Sequence, residues 1–177
     1  MKRLFQYDIN DENFKIYQDV INRIKLRTKT LVDEIDSLII NYTENNIFET
    51  RFFLNELSDV NEKIDYLKKL REKILKMNDC DKVTVKIATP LHPMCWAYYL
   101  SKKWPKKFKN YIMYGFCVPF YPSRPIMLAH YVFEKGIVEV FQILVHELTH
   151  SLMNAKDLNA TNYKDAINDA WTICFIF

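Results

Sequence analysis

Glycine is almost absent: the 177 residues contain 2. Loops that bring backbone close to a phosphate are built on glycine, so a P-loop or a dinucleotide-binding turn is excluded. No apolar run approaches the roughly 20 residues that cross a bilayer, and no membrane span is expected. The opening "MKRLFQYDINDENFK" starts with two basic residues but has no apolar stretch behind them, so it does not read as a secretory signal. The expectation is a cytoplasmic chain, or one that leaves by a signal-independent route. Cysteine is sparse and scattered. Cys80, Cys95, Cys117 and Cys174 form no C-x-x-C pair and no zinc-ribbon pattern. They suit one or two disulfides in an exported chain and four buried thiols otherwise. The formal net charge of +3 is mild and names no partner.

What is present is ordinary globular composition, with 49% apolar and 27% charged residues. The length suits one domain over 1–177, with no linker, internal repeat or low-complexity tract dividing it. Residues 1–78 read as a helical part. Apolar residues recur at helical spacing from Asn13 to about Asn41 (Phe14, Tyr17, Ile21, Ile24, Leu31, Ile35, Leu38). A second helix is predicted from about Ser58, as its N-cap, to Met77, with Val60, Ile64, Leu67, Leu70 and Ile74 on one face. From 79 onward the texture changes. "KVTVKIATP" alternates and is β-branched, which predicts a strand over Lys82–Thr89, and "MCWAYYL" and "NYIMYGFCVPFY" are further strand candidates. "SKKWPKKFK", five lysines around two aromatics, reads as a solvated loop between strands; contact with nucleic acid or an anionic membrane is the minority reading, because one short patch gives few phosphate contacts, and no nucleic-acid partner is expected. After Pro125 a helix is predicted to begin at Gly136 and end near Met153, and a last one to run from about Tyr163 to the C-terminus. The fold class expected is α+β, mostly helical.

The chemistry-bearing stretch is "QILVHELTHSLMNAKD". Two histidines four apart on a helix share a face, with Cβ atoms about 5–6 Å apart. His146 and His150 could therefore reach one tetrahedral zinc at about 2.0–2.1 Å. Glu147 follows the first histidine, rotated about 100° around the axis. It misses the metal but can act as general base on a water beside it. The flanking Ile143, Leu144, Val145, Leu148 and Leu152 imply burial, where imidazoles and a carboxylate without partners are costly. A hydrolytic zinc takes a third protein ligand and leaves one position open. Two aspartates compete for that role. Asp157 reaches the metal only if the helix stops, and Asn154 is the residue able to stop it by taking left-handed geometry. Asp169 would come from the next, antiparallel helix.

These residues resemble the aspzincins, the deuterolysin and peptidyl-Lys metalloendopeptidase family of HExxH zinc proteases. The resemblance extends loosely over about 51–177, through "RFFLNELSDVNEKIDYLKKLREKI", "MCWAYYL", "YIMYGFCVPFY" and "AINDAW". It implies a zincin-like fold: an N-terminal helical part, a small sheet and the HExxH helix. It also implies a zinc metalloendopeptidase with one catalytic zinc on His146, His150 and Asp157, and Glu147 as base. The family's third ligand lies in a G-T-x-D-x-x-Y-G loop, where this chain has Asn154 for the glycine and Ala160 for the tyrosine. Tyr163 is the nearest replacement for that tyrosine as an aid to the oxyanion. Asp169 then becomes a specificity-pocket residue or one behind the ligands. The gluzincin pattern, in which "AINDAW" would supply Asp169 as third ligand, is the alternative. So is an inactive zincin-fold binding module. The expected partner is a protein or peptide substrate, the expected state a monomer, and by analogy the role a bacterial effector or toxin.

Overall fold

The computed structural model describes residues 6–7, 11–109, 112–117 and 125–177, with side chains from residue 13 onward. Helix α1 (Asp11–Ile40) carries a buried stripe of Val20, Ile24, Leu31 and Ile35 at helical spacing. A short helix α2 (Ile47–Arg51) leads to α3 (Val60–Leu75), which buries Leu67, Leu70 and Ile74 against α1. The cap of α3 is Asp59, whose side chain accepts from the Asn61 N–H, and not the predicted Ser58. Val60, one residue inside the helix, points to solvent.

The sheet has four short strands in the order β1 (Gln6–Tyr7), β2 (Val85–Ala88), β4 (Ile126–Ala129) and β3 (Gly115–Phe116). β2 and β4 are parallel, with Val85 opposite Ile126, while β1 and β3 run antiparallel at the two edges. Strand β2 is shorter than predicted, because Lys76–Lys82 winds as a 3-10 segment that buries Met77 and Cys80. β4, "IMLA", was not among the predicted strands, and all four of its residues are buried.

A parallel pair needs a crossover, and that connection corrects two expectations. "MCWAYYL" is not a strand but the body of helix α4 (Pro93–Lys103). His92 caps it, with Nδ1 accepting from the Met94 N–H at 3.2 Å, and Pro93 occupies the first helical position, where its missing N–H costs nothing. The run of lysines is no loop either: it ends α4 and forms the one-turn helix α5 (Pro105–Phe108). Of the candidate strand "NYIMYGFCVPFY" only Gly115–Phe116 is strand; residues 110–111 and 118–121 lie outside the described residues.

Helix α6 (Ile137–Met153) packs on α1 and on the sheet through Val140, Leu144, Val145 and Leu148. Gly136 starts it with φ 107°, a backbone that L side chains rarely adopt. The predicted last helix is broken in two, α7 (Tyr163–Ala166) and α8 (Ala170–Cys174). The break is Asp169, whose carboxylate caps α8 by accepting from the N–H and hydroxyl of Thr172 (3.0 and 2.7 Å). Architecture is thus mostly helical α+β. All four cysteines are free thiols, three of them buried. No described helix is long and apolar enough to cross a membrane.

Candidate metal centre

Helical geometry places His146 and His150 one turn apart on α6, with Nε2 atoms 3.1 Å apart. The chain behind them then folds back. Asn154 takes the left-handed conformation (φ 59°, ψ 34°), and the N–H groups of Asn154 and Ala155 turn onto the Thr149 carbonyl. The Ala155 carbonyl meets His150 Nδ1 at 2.9 Å, so that nitrogen carries the proton and Nε2 keeps its lone pair. Asp157 follows, with Oδ1 3.3 Å from His146 Nε2 and 3.5 Å from His150 Nε2. Among the described residues these three are the group of donors able to hold a metal ion. Donor atoms on a tetrahedral ion at about 2.0–2.1 Å stand roughly 3.3–3.4 Å apart. The three observed separations bracket that value, and two imidazoles with one carboxylate are a donor set that zinc takes.

Asp169 does not join this cluster. Both its oxygens are spent inside the protein: Oδ2 on Thr172 and Oδ1 on the Leu158 N–H at 2.9 Å. Backbone bonds flank it, from Lys156 N–H to the Asn168 carbonyl and from Ala170 N–H to the Lys156 carbonyl, both 2.8 Å. Asp169 therefore clamps 156–158 and sets where Asp157 stands. Burial alone would raise its proton affinity; the bonds from Thr172 and Leu158 outweigh burial and lower it. Tyr163 is also placed elsewhere, which corrects its expected part at the oxyanion. Its ring stands edge-on to Tyr66, and its carbonyl accepts from the Tyr66 hydroxyl at 2.9 Å, away from the cavity.

Glu147 is 7% exposed, held between α6 and the edge strand β3. Burial raises its carboxyl to about 7, with Asp157 pushing the same way and His150 and the thiol and N–H of Cys117 pulling back. Burial, with Glu147 beside it, also lifts the Cys117 thiol far above the ordinary range. Burial and the neighbouring His150 lower the proton affinity of His146 and favour the neutral imidazole, the form that ligates.

A cavity of about 620 Å³ opens over these groups, a volume typical of ligand sites. Met113, Phe116, Ile143 and Trp171 give it apolar walls, and Lys135 and Glu139 stand at its margin. Trp171 lies against His146, with ring centroids 4.1 Å apart. Two of these contributors were not singled out as site residues. Trp171 sits in "AINDAW", two residues past a cap that no periodicity announces. Gly115 is one of the chain's 2 glycines, and a Cβ built on it would stand 2.7 Å from Glu147 Oε1. A lone glycine in a strand marks a close approach of backbone to something else, and that was the available signal.

Comparison with protein-family models, with curated proteins and with solved structures finds no match to this chain.

Proposed function

We propose that the chain is a zinc-dependent metalloendopeptidase, hydrolysing internal peptide bonds of a protein or peptide substrate. One observation carries the reading: a buried carboxylate of raised proton affinity adjoins three donor atoms at tetrahedral spacing, inside a substrate-sized cleft. A closed structural site would have a fourth protein ligand, and among the described residues His146, His150 and Asp157 have none. These three residues would hold the ion. Zinc, when bound, polarises the scissile carbonyl and makes the attacking water more acidic.

The chain's own residues move the proton and orient the site. Glu147 takes the proton of the attacking water on its carboxylate and returns it to the leaving amine nitrogen as the C–N bond breaks. A carboxyl balanced near neutrality is suited to both halves of that exchange. The Ala155 carbonyl keeps the lone pair of His150 Nε2 turned inward. Trp171, Phe116 and Ile143 line the cleft with apolar surface that keeps bulk water from the reacting bond and suits a bulky apolar side chain.

Metal analysis of the purified chain tests the reading directly. The expected result is one zinc per chain, lost in His146→Ala, with cleavage of an unstructured protein such as casein abolished by chelators. A chain that takes up no zinc at micromolar free metal would overturn it and favour a binding module. The Asp169 clamp carries its own expectation. Asp169→Ala should weaken zinc binding about 10- to 100-fold, as loss of support behind a ligand does. It should also cost about 1–3 kcal/mol of stability, because the Leu158 N–H and the buried N–H and hydroxyl of Thr172 lose their acceptor. Competition with a chelating dye and urea unfolding would measure the two effects.

A further inference from the structure

Charge is not spread evenly along this chain. Acidic residues stop at Asp81 and resume at Glu134; between them lie seven lysines, one arginine and no carboxylate. That segment carries +8 and the remainder of the chain −5, which together make the net +3. The mild total conceals a chain polarised along its length.

Helices α4 and α5 concentrate this charge. One side of α4 is fixed: Met94 and Cys95 are buried, and the Tyr98 ring stacks on Tyr131 with centroids 3.9 Å apart. On the other side Trp96, Tyr99 and Lys103 follow one another at helical spacing, and all are exposed. Trp96 is 56% exposed, Trp104 47% and the neighbouring Leu91 58%. Lys102, Lys103, Lys106, Lys107 and Lys109 are exposed too, and none has an ion-pair partner among the described residues. Three of the ammonium groups lie by aromatic rings instead: Lys102 Nζ is 4.5 Å from the Tyr98 centroid, Lys103 Nζ 4.7 Å from that of Trp104 and Lys107 Nζ 5.6 Å from that of Phe108.

We infer that this face docks on an anionic phospholipid bilayer, lying on it without crossing it. Indoles, an exposed leucine and lysines with apolar stems are the residues that settle at a lipid headgroup boundary. Lysine clusters without acidic neighbours are what a negative leaflet attracts. A nucleic acid is the weaker fit. α4 and α5 contain no arginine, the residue suited to bidentate phosphate and base contacts. Tyr99 is also engaged already: it stacks on His130, with its hydroxyl 2.6 Å from Nε2. The inference is independent of the peptidase reading.

Flotation of the whole chain with vesicles tests it. Binding is expected to vesicles of 70% phosphatidylcholine and 30% phosphatidylserine, weakening in 0.5 M salt, and not to phosphatidylcholine alone. Near a charged leaflet each lysine is worth about fivefold in affinity, so Lys103→Glu with Lys107→Glu should lose about 25-fold or more. The exposed control pair Lys29→Glu with Lys69→Glu should lose little. Trp96→Ala with Trp104→Ala should reduce binding and abolish the blue shift of tryptophan emission. Equal loss in both lysine pairs, no preference for the anionic vesicles, or displacement from them by equimolar single-stranded oligonucleotide would overturn the inference.

Discussion

Glu147→Gln is expected to keep its zinc and lose its activity, with turnover falling about 10²–10⁴-fold, the range that general acid–base catalysis supplies. The substitution keeps shape and removes the one property that matters, an oxygen able to take up and release a proton. Helical geometry turns Glu147 about 100° from His146, away from the donor cluster. The three donors do not include it, so metal content should stay at the wild-type level. Stability should hold as well, because an amide at this position has no charge to desolvate where burial now holds the carboxyl up at about 7. Elemental analysis, urea unfolding and cleavage kinetics on the same preparation make the three-way comparison. Loss of zinc alongside activity would instead make Glu147 a ligand and remove the general base from the proposed mechanism.

Much of this site was legible in the sequence, because its geometry is local. The four-residue step from His146 to His150 survives in any helix, and Asn154 ends that helix in the left-handed conformation its side chain tolerates. What was not legible is what non-local packing decides. Asp157 and Asp169 are equivalent candidates as letters. The clamp that makes one a cluster member and the other its support runs through the backbone of 156–158 and 168–170. "MCWAYYL" is rich in aromatics, which favour strands, yet it serves as the crossover between two parallel strands. Its helix is signalled only by the cap at His92 and the proline behind it. β4 is four residues long and reads as strand only once β2 lies beside it. Tyr163 was placed at the site by analogy of spacing, and α7 turns it onto Tyr66 instead.

Gly115→Ala is expected to cut activity about 100-fold while the zinc stays bound, the scale of loss that a displacement of about 1 Å in a catalytic group brings. A methyl group there would meet Glu147 Oε1 at 2.7 Å, Glu147 Cγ at 2.8 Å and Ile143 Cγ2 at 2.8 Å, all tighter than real Cβ contacts. Something must move. β4 pins the strand on its inner side, with Gly115 opposite Leu128, while Val140 and Leu144 are buried on α6 below. Glu147 makes two of the three contacts, so its side chain must shift or turn to clear them. Overpacking of this kind also costs about 1–3 kcal/mol, which urea unfolding would register. Adding Ile143→Ala separates the two effects, since it removes the apolar half of the clash and leaves the contact with the carboxylate. The double variant should regain part of the lost stability and little of the turnover. Full recovery of turnover would mean that Gly115 only makes room for packing and has no part in aiming the base.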